Sequence, residues 1–147
     1  MSVASDAERR LLLLDTHALV WSVDESTRLG RSIIPKINEA ARQSRIGVSA
    51  ITPWEIALLV KKGKLQLRCD VMQWVRDALS GPGARLLPME PEIAVESTRL
   101  PFEMHADPAD RILVATARHL GATLVTADQA LLDLSKKGHF AAIDASR

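Results

Sequence analysis

The chain has 147 residues, 47% of them apolar, enough for one domain with a substantial core. Its 19 Lys and Arg nearly balance 18 Asp and Glu, so bulk charge does not announce nucleic-acid binding and any basic surface must be local. Cys69 is alone, which excludes an internal disulfide and a Cys-rich zinc site and fits a reducing cytoplasm, while no apolar run approaches the ~20 residues of a membrane span.

Residues 1–10 read as a flexible polar lead and residues 11–147 as one domain. Leu11–Leu14 is an all-apolar strand, too short for a signal peptide, and Thr16–Val23 follows as a helix. Ile33, Ile34, Ile37 and Ala41 give the next helix, about Ser32–Gln43, its apolar face. Ile46–Ser49 is the second strand. A helix over Thr52–Lys62 ends at Gly63, and Trp54, Ile56, Ala57, Leu58 and Leu59 mark it as largely buried. Asp70–Leu79 is amphipathic, and Gly81-Pro82-Gly83 breaks it. Arg85–Met89 is the third strand and Glu90–Leu100 a short helix. Pro108–Leu120 is a strong helix stopped by Gly121. Leu124–Thr126, Asp128–Lys136 and Phe140–Ile143 complete a strand, a helix and an edge-like strand. This alternation predicts an α/β fold, a three-layer α/β/α sandwich around a mostly parallel sheet.

Acidic residues recur at or just past the predicted strand ends: Asp15, Glu55, Asp110 with Asp107 beside it, and Asp128. In an open parallel sheet these ends share one edge, where ligands bind. Acids 40, 55 and 18 residues apart are therefore expected to converge. Two carboxylates about 5 Å apart repel by roughly 3 kcal/mol at an effective dielectric of ~20, so such a cluster calls for a cation. Oxygen donors favour Mg²⁺ or Mn²⁺ over zinc. His17 and His105 lie near acids without forming a metal-spaced set.

Each acid also has a capping explanation. Thr52-Pro53-Trp54-Glu55 fits a capping box with Thr52 as N-cap, and Asp107-Pro108-Ala109-Asp110 has the same layout. Asp15 could cap the Thr16 helix, and Asp128 could lie in a turn. Capping does not account for Glu55, the one acid between Ile46 and Lys61, in a helix that reads as apolar.

Four segments together carry a family pattern: Leu12 to Trp21 (LLLDTHALVW), Ser49 to Ala57 (SAITPWEIA), His105 to Ala117 (HADPADRILVATA) and Leu124 to Asp128 (LVTAD). They resemble PIN-domain ribonucleases, and more narrowly the VapC toxins of bacterial toxin–antitoxin pairs, from about Leu11 to Ile143. The resemblance implies a Mg²⁺- or Mn²⁺-dependent endoribonuclease whose acidic quartet falls on Asp15, Glu55, Asp110 and Asp128. It places an accessory acid at Asp107 and a nearby hydroxyl at Thr16 or Thr126. On this pattern Asp15 and Asp110 hold the first metal, Glu55 orients water or bridges, and Asp128 completes the site. Ala109 departs from the aromatic residue common at that position.

An acidic pocket that must bind phosphate needs a basic rim. Lys61, Lys62 and Lys64, and Arg111 beside Asp110, are the candidates for contact with RNA, although Arg111 could equally pair with a quartet acid. With five aromatics and no Tyr, an extensive base-stacking platform is not expected, and Trp21, Trp54 and Trp74 read as core or interface residues. The resemblance further implies a small cognate antitoxin, for which apolar residues of the first two helices offer a groove, and a homodimer, for which the Asp70–Leu79 helix offers a surface. Competing functions are a metal-dependent DNase or phosphatase, and a non-catalytic binding module that keeps the fold. A haloacid-dehalogenase-like phosphatase would place its second Asp where His17 stands.

Overall fold

The computed structural model describes residues 9–81 and 83–147, so most of the expected flexible lead, residues 1–8, and the middle of the Gly81–Gly83 break lie outside it. Five strands, β1 (Leu12–Leu14), β2 (Ile46–Ser49), β3 (Ala84–Leu87), β4 (Thr123–Thr126) and β5 (Ala141–Asp144), form one sheet in the order β3-β2-β1-β4-β5, and every pairing is parallel. Seven helices are present among the described residues: α1 (Thr16–Val23), α2 (Ile33–Arg42), α3 (Ile51–Lys61), α4 (Val71–Ser80), α5 (Pro91–Glu96), α6 (Pro108–Leu120) and α7 (Gln129–Lys136). The predicted sandwich is the observed one.

The two faces follow from strand alternation. Leu12 and Leu14 point into a core with Ile46, Val48 and Val125, closed by Leu19 of α1, Ile33 and Ile37 of α2, Ile56 of α3 and Trp74 of α4. Leu13 and Leu124 point the other way, onto Leu113, Val114 and Ala117 of α6 and Leu131 of α7. β1, β2 and β4 are covered on both sides, so every residue in them is buried, Ser49, Thr123 and Thr126 included. The Trp74 indole N–H donates to Asp24 Oδ1 at 3.1 Å and ties α4 to the end of α1.

Several boundaries depart from the sequence reading. The helix expected over Glu90–Leu100 stops at Glu96, where three further turn bonds carry the chain through Arg99. The helix expected from Thr52 begins at Ile51, with Ala50 as N-cap and the Ser49 hydroxyl accepting from the Ile51 N–H at 3.2 Å. Pro53 is then the third helical residue. Its missing N–H costs nothing there, because the first four N–H groups of a helix have no intrahelical acceptor.

Gly30 marks a close approach that bears on the site. A Cβ there would lie 2.1 to 2.4 Å from backbone atoms of Arg147. The Gly30 N–H donates to Ala145 O at 2.9 Å and the Ile33 N–H to Arg147 O at 3.0 Å. The segment after β5 thus clamps the loop between α1 and α2, which carries Arg28.

Candidate active site

The helix N-termini that follow β1 and β4 each begin with a capping aspartate. Asp15 caps α1 by accepting from the Ala18 N–H at 2.8 Å, and Asp128 caps α7 by accepting from the Leu131 N–H at 3.2 Å. Asp107 caps α6 by accepting from the Asp110 N–H at 3.0 Å, as its capping layout predicts. Asp110, in the first turn of α6, is therefore spared that duty and turns its own carboxylate to the cavity. The capping-box explanation of Glu55 fails. Thr52 lies inside α3, fully buried, and Glu55 is the fifth helical residue, beyond the reach of a capping box.

Asp15, Glu55, Asp107, Asp110 and Asp128 line a single open cleft of about 730 Å³ at the C-terminal edge of the sheet. Their mutual influence is visible in Asp110, whose pKa is pushed up to about 7, first by burial and then by Asp107, Asp128, Glu55 and Asp15. Burial also raises the pKa of Asp15, against hydrogen bonds from Thr126 and the Ala18 N–H and the nearby His17, while Glu55 adds to the rise. Thr126 does not line the cleft. It lies beneath it, fully buried, donating to the Asp15 carboxylate and accepting from the Asp128 N–H at 3.0 Å. One hydroxyl thus sets the relative positions of two acids from neighbouring strands.

The donor set fits a hard divalent cation. Besides the carboxylates, Thr16 lines the cleft, and its Oγ1 is buried with no hydrogen-bond partner among the described residues. A buried oxygen left without a partner beside crowded carboxylates suits a site completed by a positive group. His105, Asp110 and Asp128 also present ligand atoms within 4.8 Å of one another, so His105 joins a metal-spaced set that sequence spacing did not reveal. Its Nε2 lies 3.3 Å from Asp110 Oδ2, and its Nδ1 accepts from the Asp107 N–H at 3.4 Å.

The cations arrange differently from expectation. Lys62 and Lys64 line the cleft, and Lys61 does not. Arg111 also stays out of it. Its guanidinium donates to Ser97 O at 2.9 Å, Met104 O at 3.3 Å and His105 O at 3.4 Å, and among the described residues it makes no ion pair with a quartet acid. It pins the loop that delivers His105. Arg28, unnoticed in a polar stretch with no periodicity, lines the cleft instead. The expectation that Trp54 marks a largely buried helix is also overturned. Only Thr52 and Ile56 of α3 are buried, and the indole is 51% exposed. Of the expected core or interface tryptophans, Trp74 alone is fully in the core.

The sequence matches the PIN domain family over residues 12–137. The chain belongs to the PIN-domain family. Within that family it falls in the VapC branch: it is 32% identical over 120 residues to Ribonuclease VapC22 of Mycobacterium tuberculosis, a match covering 82% of this chain and 88% of that protein. The PIN fold is shared with the DNA-bound VapBC2 complex of Rickettsia felis (TM-score 0.68, 16% identity, 91% of this chain and 98% of that one). It is shared equally with the DNA-bound VapBC of Salmonella typhimurium (TM-score 0.66, 18% identity, 92% and 98%). At these identities the likeness is one of backbone. Among the described residues of this PIN domain, no helix is long and apolar enough to cross a membrane.

Proposed function

We propose that this PIN-domain protein is an endoribonuclease dependent on Mg²⁺ or Mn²⁺, acting as the toxin of a toxin–antitoxin pair in the cytoplasm. The observation that carries the chemistry is the convergence of Asp15, Glu55, Asp110 and Asp128 on one cleft beside Lys62, Lys64 and Arg28. Asp15, Asp110 and Asp128 would hold the cation, with Glu55 across the cleft and Thr16, Asp107 and His105 at its edge. When bound, the cation supplies Lewis acidity and neutralises charge on the phosphodiester. The chain's own residues supply the rest. Glu55 is placed to orient a water for attack. Asp107 and Thr126 hold the first turns of α6 and α7 in position, and the cleft's cations attract the phosphates on either side.

Support for the ribonuclease class comes from the VapC22 relative, and support for a restrained toxin from the fold shared with VapBC complexes and with a toxin–antitoxin complex of Klebsiella pneumoniae (TM-score 0.51). Partner surfaces follow from the same reading. Val20, Ile33 and Ile37 are core, but Val23 and Ile34 remain exposed, and a groove of about 250 Å³ between α1 and α2 is lined by Leu29, Ile34 and Ile37. That groove is our candidate seat for an antitoxin segment, and the exposed Met72 face of α4 for a second copy.

The test is cleavage of a mixed RNA pool against matched DNA. We expect RNA cleavage with Mg²⁺ or Mn²⁺, none in excess chelator, and none from Asp110→Asn. Cleavage that persists in chelator would rule out the metal-dependent mechanism. RNA binding without cleavage under every ion would favour a binding module.

A further inference from the structure

We propose that Trp54 is a base-stacking platform that grips one unpaired nucleobase of the substrate beside the scissile phosphate. The proposal rests on the ribonuclease reading above and adds the group that recognises the RNA as single-stranded.

Eight large apolar side chains are markedly exposed among the described residues, and of these only Trp54 lines the cleft. Packing does not explain its position. The core contacts of α3 come from Thr52 and Ile56, one turn apart, and residue 54 lies about 200° around the helix from residue 52, on the opposite face. The stripe that faces the cleft is continuous. Glu55, Leu58, Leu59 and Lys62 all line the cleft at the 1-4-5-8 spacing of a single helical stripe, and Trp54, also lining it, stands at the start of that stripe on the side away from the core. An aromatic ring, a carboxylate of the candidate catalytic set, two aliphatic side chains and a cation thus run in order along one wall. From Trp54 to Lys62 the stripe rises about 12 Å.

Each member matches a part of a nucleotide chain. The carboxylate cluster marks the phosphate to be cut. Lys62, with Lys64 and Arg28, suits flanking phosphates. The indole offers a flat apolar face immediately next to Glu55, where a base attached to the reacting nucleotide or its neighbour would come. Stacking on an aromatic ring accepts any base, because each has a π face, but the base must leave its helix to reach the ring. The cleft is open enough for a splayed base, and the occupant chemistry favoured by its cations is a polyanion rather than an apolar protein segment.

The test uses a short single-stranded RNA that the wild-type protein cleaves, and copies carrying an abasic nucleotide at each position flanking the cleaved bond. Cleavage in Mg²⁺ or Mn²⁺ is measured for wild type, Trp54→Phe and Trp54→Ala. We expect Trp54→Ala to lose about 10- to 100-fold in kcat/KM, mostly through KM, and Trp54→Phe to lose only a few-fold. At one flanking position the abasic RNA should cost the wild type a similar factor and cost Trp54→Ala nothing more. Thermal melts of both variants, which alter an exposed residue, should match the wild type. Trp54→Ala cleaving like the wild type overturns the proposal, including the case where it loses only its hold on a small protein partner. So does an abasic penalty that survives undiminished in Trp54→Ala. A wild type that cleaves no RNA with either ion removes the ribonuclease reading itself and this proposal with it, an outcome visible before any variant is compared.

Discussion

Asp110 is the residue at which the cost of the site can be measured. Its carboxyl is held near pKa 7, against an ordinary value of 3.8, by burial and four neighbouring acids. Between those pH values the folded chain keeps a proton that the unfolded chain has released. In chelator, stability therefore falls as pH rises from about 4 to about 7 and levels off above. Asp15, shifted in the same direction, adds to the slope. Glu39 and Asp144 are shifted the opposite way, by hydrogen bonds and Arg partners, but equally in wild type and variant. Asp110→Asn should flatten the slope and leave the protein at least as stable as wild type at pH 8, by of the order of 1 kcal/mol once solvent screening is allowed for. Melting temperatures across pH 4 to 8 would show it, and a variant much less stable at every pH would make Asp110 structural. Thr126 gives the complementary case. Thr126→Val deprives the Asp128 N–H of its acceptor and Asp15 of a donor, and should cost about 1–3 kcal/mol by urea unfolding, with Thr126→Ser largely restoring it.

At the scale of elements, α3 shows what a sequence pattern can and cannot reveal. The existence of every helix and strand from Leu11 onward was legible, because apolar runs bounded by Gly, Pro and Asp punctuate them plainly. The register of the α3 start was not. Thr52-Pro53 carries the usual signs of a cap, yet the N-cap is Ala50, two residues earlier, with the Ser49 hydroxyl accepting from the Ile51 N–H, and Thr52 falls in the core. Its hydroxyl ends up buried with no partner among the described residues. Thr52→Val should therefore be neutral or stabilising by up to about 1 kcal/mol, since it removes an unsatisfied polar group at nearly constant volume. A loss of more than that in denaturant melts would point to a partner for the hydroxyl. The same limit hid the exposure of Trp54. Its apolar neighbours suggested burial all round, but only the tertiary packing decides which stripe of a helix meets the sheet.

For the molecule as a whole, Asp15, Glu55 and Asp128 were legible because strand ends in a parallel sheet must share an edge, whereas Asp107 and Asp110 follow no strand, since β3 ends at Leu87 and α5 intervenes before α6. The cations were not, because Arg28 reaches the cleft through a loop held by the 145–147 segment, and Arg111 is turned away by carbonyls at residues 97, 104 and 105. The strand order has a further consequence, in time rather than in space. β1 lies between β2 and β4, and the Asp15 N–H donates to Val125 O at 3.0 Å. The first acid is thus seated by a strand about 110 residues further along the chain, and long-range closure of this kind is slow. A nuclease built this way is inert until β4 has docked beside β1. Its cleft is completed in one step of strand docking, which on the proposed function would give an antitoxin at the candidate α1–α2 groove time to bind first. On refolding from denaturant, RNA cleavage should return with the slowest phase that reports burial of Trp74, and a chain ending before Thr123 should cut nothing.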